Sequence, residues 1–351
     1  MKMDSISEKR QLGTTGLFVP TIIFGTSCLG NLYGELPYET KLAIVREWFK
    51  YIQPPVVVDC AGKYGAGLAL EVIGKALGEL AVKPDDIIIS NKLAWKRVAL
   101  KGTEPTFEPG AWVGIGYDAK QAISYDGIME CRQQGNELLG GRYQPQIVSV
   151  HDPDEYLASA SDEQERSRLL GRIIDGYKAL HELKAAGKVK AVGVGAKDWK
   201  VIREIADRVQ LDWVMFACSL TVYTHSAELL RFVEELRSRG IGIINSAVFN
   251  AGFLVGGEYF NYRKADAKEQ PELFAWRDGF MRLCRKHNVK PDVACIQFGL
   301  SAPGVVAIAV NSSKPHRIRE NVESVSVRVS GDFWVAMKEE GLIDRDYPYV
   351  G

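Results

Sequence analysis

What this chain is short of narrows the reading before any motif is considered. It has no net formal charge, with 44 basic against 44 acidic side chains, so nothing electrostatic argues for nucleic acid or an anionic membrane surface as a partner. No run approaches the roughly 18 apolar residues of a spanning helix. The opening "MKMDSISEKRQLG" lacks the apolar centre of a secretory signal, so the expected setting is the cytoplasm. The six cysteines (Cys28, Cys60, Cys131, Cys218, Cys284 and Cys295) contain no Cys-x-x-Cys pair and read as buried thiols of a reducing compartment. Histidine is scarce as well. Apart from His151, the others (His181, His225, His287, His316) have no ligand spacing, and no metal is expected. There is no linker, low-complexity tract or solenoid-period repeat, and we read residues 1–351 as one domain.

What is present is a regular alternation. Short, β-branched runs recur at 21–25, 56–59, 87–90, 147–151, 192–195, 214–216, 241–245 and 305–310. They are nearly continuous rather than alternating, as strands covered on both faces should be. Helical patterns separate most of them. In one, Leu170, Ile173, Ile174, Tyr177 and Leu180 share a face and Gly187 stops the helix; in another, Ser226 is the N-cap and Gly240 the stop. Pro291 suits a first helical turn. Eight such units predict an α/β fold, a closed (β/α)8 TIM barrel, with "RQLGTTGLFVP" as an N-terminal hairpin closing its bottom. Two connections, 96–119 and 253–271, are too long for simple strand–helix loops. They are expected over the C-terminal face, where barrels build their sites.

At that face the strand tips carry chemistry. Asp59 ends the second run, Lys92 lies just past the third, His151 ends the fourth, and Tyr64 follows Asp59 in the glycine-rich loop "GKYGAG". Tyrosine has a reference pKa of about 10, and a nearby ammonium lowers it while a carboxylate keeps that ammonium charged and aimed. The set therefore reads as proton-transfer machinery, with His151 orienting a substrate oxygen. The glycine runs lack the spacing of a dinucleotide fingerprint. The phosphate site is expected after the seventh and eighth strands instead, where Ser312, Ser313, Lys314 and Arg317 precede or open a helix.

The order Asp, Tyr, Lys, His resembles the catalytic tetrad of the aldo-keto reductase superfamily. The phrases "LGNLYG" (29–34), "YDAKQAISYDGIMEC" (117–131), "VHDPDEY" (150–156), "ALHELKAAGKVKAVGVGAKDW" (179–199) and "FNAGFL" (249–254) are similar to its branch of D-threo-aldose 1-dehydrogenases, L-fucose or galactose dehydrogenases and pyridoxal dehydrogenase. The resemblance covers about residues 10–324. It implies Tyr64 as general acid/base, Lys92 as its pKa modulator, Asp59 as the partner of Lys92 and His151 as the orienting group. It also implies a nicotinamide cofactor held by Thr26, Ser246, Phe249, Asn250, Gly252, Asn311, Ser312, Arg317, Glu320 and Asn321. Asn311 stands where NADP-preferring members often carry lysine, so NAD is favoured over NADP. The sequence also departs from the family pattern at Ala69-Leu70, at Gly195-Ala196-Lys197, at Ala217 and at Asn245, the last standing for a nicotinamide-stacking tyrosine on strand 7.

Tyr33, Trp95 and Trp112 are aromatics expected to overhang the pocket, suited to a sugar face or a pyridine ring; Phe107 is a further candidate. The expected activity is NAD(P)-dependent oxidation of a cyclic aldose at C1 to a lactone, or the reverse carbonyl reduction. Pyridoxal-type or other aldehyde chemistry on the same site is the alternative. From other classes, a Schiff-base lyase using Lys92 and a non-catalytic cofactor-sensing barrel are kept open. The expected partner is a small sugar or aldehyde, with the chain a monomer or small homo-oligomer.

Overall fold

The computed structural model describes residues 8–350. The polar opening at 1–7, read above as lacking a signal, and Gly351 lie outside them. Eight parallel strands close into a barrel in chain order: β1 (Ile22–Gly25), β2 (Val56–Ala61), β3 (Ile87–Leu93), β4 (Ile147–His151), β5 (Ala191–Ala196), β6 (Trp213–Ala217), β7 (Gly242–Ser246) and β8 (Val305–Val310). Each coincides with one of the eight apolar runs. The runs lack alternation because both faces of each strand are buried: Val57 points inward while Val56 and Val58 pack under the outer helices.

The interior floor is apolar. Ile23, Val57, Ile88, Ile147, Met215 and Ile244 meet there with Trp213. The indole fits because its neighbour is glycine: a Cβ on Gly193 would lie 2.4 Å from Trp213 Cε2. Below it, Lys9–Gln11 pairs antiparallel with Phe18–Pro20, and the hairpin plugs the floor with Leu12, Leu17 and Val19.

Helix ends follow the sequence signals. Ser226 Oγ accepts from Leu229 N (3.3 Å), and Gly187 and Gly240 adopt the left-handed φ of +66° and +69° that stops a helix. Pro291 opens Pro291–Ser301. The two long connections contain structure that the sequence pattern hid. Trp95–Ala99 and Tyr117–Gln121 form an antiparallel ribbon, and Tyr259–Phe260 pairs with Arg263–Lys264. Both are ribbons on the surface of the barrel, rich in Lys and Arg, and too short to show a period. Among the described residues no helix is long and apolar enough to cross a membrane.

Candidate active site

Residues at the strand tips point into the mouth because the inward parity that begins with Val57 continues to Asp59, Ile88 leads to Ser90 and Lys92, and Ile147 leads to Ser149 and His151. Asp59 lies opposite Ser90 and Ala61 opposite Lys92 in the β2–β3 register. Lys92 therefore reaches back along the strand to close an ion pair with Asp59, and its Nζ also lies 3.4 Å from Cys60 O. Ser90 Oγ donates to the other Asp59 oxygen at 3.2 Å. Both members of the pair are buried. Gly195 on β5 makes room for the lysine stem, since a Cβ there would come within 3.1 Å of Lys92 Cδ.

The tyrosine loop is fixed by a close backbone approach. A Cβ on Gly65, which has φ +62°, would sit 2.3 Å from Gly30 O, so the loops after β1 and β2 are pressed together. Tyr64 consequently leans over the ion pair. Lys92 Nζ is 4.7 Å from its ring centroid, His151 meets it edge-on at 5.7 Å, and Trp112 lies at 6.0 Å. The direction of its pKa differs from the sequence expectation. Burial pushes the phenol well above its ordinary value, with Asp59, Asp152 and Cys60 adding to the rise; Lys63 opposes it. The physical reason is burial: an ionised phenol would lose its hydration here, and the negative charge of Asp59 adds to the penalty. Tyr64 thus holds its proton at neutral pH. His151 is pushed the other way, well below its usual range, by burial and then by the cations Lys92 and Lys63. Its ring is neutral at neutral pH, and its Nδ1 is buried without a partner.

A second charged cluster borders this one and was not anticipated. Lys63, buried beside Tyr64, contacts Asp152 (2.7 Å), Glu108 (2.8 Å) and Glu155 (2.9 Å). Burial disfavours its charge, but Asp152, Glu108 and Glu155 outweigh that and hold the ammonium well above its usual pKa. Glu155 also takes Lys197 at 2.5 Å. Adjacency to Tyr64 and His151 in "GKYG" and "VHDPDEY" was the available signal for Lys63 and Asp152; Glu108 had none.

A cavity of about 790 Å³ runs from this mouth to the loop after β8. Asp59, Tyr64, Lys92 and His151 all line it, as do Thr26, Ser246, Phe249, Gly252, Asn311, Ser312, Arg317 and Asn321, together with Tyr33 and Trp112. Four sequence candidates, Asn250, Glu320, Trp95 and Phe107, stand apart from it. Asn250 is fully buried and donates to Asn261 Oδ1 (2.7 Å), clasping its own loop. Glu320 faces Arg317 at 3.7 Å rather than the cavity. Trp95 packs against Phe107 (5.8 Å), and the Lys63 ammonium lies 4.7 Å from its ring centroid, so it supports the wall from behind. Asn245 also needs correcting as a stand-in for a stacking residue. Its amide points out of the barrel, donating to Leu220 O and Gly299 O (2.8 and 3.1 Å), and the inward residue of that tip is Ser246.

The far end of the cavity fits a nucleotide. The cations Lys314 and Arg317 and the hydroxyls of Ser312 and Ser313 line it beside the start of His316–Ser324, and no side chain caps that helix. Asn311 Nδ2 is engaged with Ser27 Oγ (2.9 Å). Among the described residues no group of three or more His, Cys, Asp or Glu could hold a metal ion.

A barrel closed by a hairpin, with these side chains at its C-terminal mouth, defines a class that comparison identifies. The chain belongs to the aldo/keto reductase family, whose model matches residues 21–340. It is 29% identical over 350 residues to pyridoxal 4-dehydrogenase of Microbacterium luteolum, covering 96% of this chain and 98% of that protein. It is 26% identical over 343 residues to D-threo-aldose 1-dehydrogenase of a Pseudomonas species, covering 93% and 96%. Its fold matches that of an aldo-keto reductase from Bacillus halodurans in holo form, with a TM-score of 0.68, 20% identity and 96% of each chain covered. The chain is accordingly an NAD(P)-dependent aldo-keto reductase.

Proposed function

We propose that this enzyme oxidises a cyclic aldose at C1 to its lactone, or runs the reverse carbonyl reduction, with Tyr64 as the proton-transfer residue. The observation that carries the reading is geometric: Tyr64 and His151 meet edge-on at 5.7 Å, with Lys92 of the buried Lys92–Asp59 pair 4.7 Å from the Tyr64 ring. Ser312, Lys314 and Arg317 would hold a nicotinamide nucleotide at the far end of the cavity, with Thr26 and Ser246 nearer the tetrad, and when bound it would supply or take up the hydride. In reduction, the phenol of Tyr64 gives its proton to the carbonyl oxygen while His151 donates an N–H bond that fixes that oxygen. In oxidation Tyr64 takes the hydroxyl proton and must first lose its own, so the oxidation rate rises with pH while reduction is favoured lower. Lys92 stabilises the phenolate when it forms, and Asp59 keeps Lys92 aimed.

Trp112 and Tyr33 give the cavity aromatic walls that suit a sugar face. They also suit a pyridine ring, and the 29% identity to a pyridoxal 4-dehydrogenase supports a pyridoxal-type aldehyde or lactol as the second reading. A Schiff-base role for Lys92 finds no support, because an ammonium paired with a buried carboxylate has no free electron pair to attack with. NAD is favoured over NADP, since Asn311 offers no cation to a 2′-phosphate, although Arg317 can meet one. The test is a screen of fucose, galactose, arabinose and pyridoxal against NAD and NADP, followed through the near-ultraviolet absorbance of the reduced nicotinamide. Turnover of a sugar above pyridoxal supports the aldose reading; the reverse order favours the second, and no turnover with any of the four sinks both.

A further inference from the structure

We infer that Lys63 is a positioning residue of this reaction, one ammonium that locks the proton-transfer tyrosine, the orienting histidine and the aromatic substrate wall into one geometry. The inference rests on the proposed role of Tyr64 and His151 but concerns a residue that role does not include. Lys63 immediately precedes Tyr64, and Asp152 immediately follows His151, so the 2.7 Å Lys63–Asp152 contact is a tie one residue removed from each. The tie holds an unusual backbone in place. Asp152 has a left-handed φ of +52°, with its N–H donating to Gly195 O at 2.9 Å, and its second carboxylate oxygen lies 3.5 Å from His151 Nε2. The 2.8 Å contact to Glu108 reaches the third wall. Glu108 accepts a hydrogen bond from Trp112 Nε1 at 2.9 Å, so the ring facing Tyr64 is set through the same ammonium. Behind Lys63, the Trp95 ring centroid lies 4.7 Å from the ammonium.

The charge count shows why a cation is required. Lys63 and Lys197 stand against Asp152, Glu108 and Glu155, and Lys197 contacts Glu155 alone among the three. Without Lys63, three carboxylates that converge on one point would repel one another. Asp152 would then turn from His151, and Glu108 would release Trp112. Loss of alignment on the scale of an ångström costs on the order of 100-fold in rate. The same cation also acts electrostatically on both neighbours. Tyr64 is faced by Asp59, Cys60, Lys63, Lys92, Asp152, His151 and Tyr262, and His151 by Lys63, Tyr64, Lys92, Asp152, Glu155 and Lys197. Removing Lys63 takes away a cation that favours the tyrosinate, so Tyr64 releases its proton only at higher pH.

The experiment compares Lys63→Met, Lys63→Arg and Glu108→Gln with the wild-type enzyme in nucleotide-linked oxidation across pH. Lys63→Met is expected to lower kcat on the order of 100-fold, to leave the KM for the nucleotide unchanged, and to move the rising limb of the pH profile upward. Lys63→Arg restores part of the rate and the limb, because a guanidinium still pairs with the carboxylates. Glu108→Gln raises the KM for the sugar or aldehyde more than it lowers kcat. A folded Lys63→Met enzyme with wild-type kcat and limb overturns the inference, as does a Lys63→Arg variant no better than Lys63→Met. Should Lys63→Met fail to fold, Glu108→Gln decides: a raised substrate KM supports the tie, and an unchanged one overturns it. Absence of nucleotide-linked turnover in the wild type would instead strike the functional reading itself.

Discussion

The floor and the mouth of this barrel are made by the same strands, two or four residues apart on the same inward face, and they follow opposite rules. At the floor, Val57, Ile88, Ile147, Met215 and Ile244 interlock with Trp213 and the hairpin, and no inward side chain of that cluster carries a charge. At the mouth, the same strands end in Asp59, Lys92, His151 and Ser246, with Lys63, Asp152 and Lys197 on the loops just above. The floor is stabilised by excluding water and filling volume. The mouth keeps buried charges only because each has a partner, and removing one partner costs more than the pair contributes. The contrast explains how the enzyme can hold unfavourable groups for chemistry: the lower half supplies the stability that the upper half consumes.

Breaking the mouth should have the largest effect. Lys92→Met leaves Asp59 buried without its counter-ion, and a loss of about 3–5 kcal/mol is expected in urea unfolding. Turnover should fall together with stability, whereas nucleotide affinity should not. Breaking the floor should separate those quantities. Ile244→Ala removes buried methyl groups far below Tyr64, for a stability loss of about 2–5 kcal/mol with kcat held at a temperature where the variant is folded. Crowding the floor is the milder version. Gly193→Ala drives a methyl group against Trp213 and should cost about 1–3 kcal/mol, read as a lowered melting temperature. The smallest effect belongs to the remote end of the cavity. Arg317→Ala is expected to weaken nucleotide binding about tenfold, close to 1.4 kcal/mol, with a larger loss for NADP than for NAD and no change in stability.

The two regions were also unequally legible in the sequence. The floor could be read directly: a run such as "VVVD" is apolar, β-branched and too short for a helix, and eight of them with helices between leave few folds open. At the mouth, Asp59, Lys92 and His151 were legible because they interrupt such runs at their ends. Parity was harder. Asn245 and Ser246 are neighbours, and only the β7 register shows that Ser246 faces in while Asn245 bonds Leu220 O and Gly299 O outside. Contacts between distant segments could not be read at all. Glu108 reaches Lys63 from the far side of a ribbon whose pairing no local pattern announces, and Trp95 turned out to back that lysine rather than overhang the substrate. The rise in the Tyr64 pKa was missed for a related reason. The depth at which the phenol is buried comes from the packing of distant loops, and that burial, with Asp59 beside it, raises the value.

The central claim is that the mouth transfers a proton through Tyr64, and it meets its most direct test in Tyr64→Phe, which keeps the ring and removes only the hydroxyl. Turnover and nucleotide binding should be measured on the same folded preparation. The account predicts a fall in kcat of about 10²–10⁴-fold with nucleotide affinity preserved; a variant that turns over its substrate at close to the wild-type rate would contradict it.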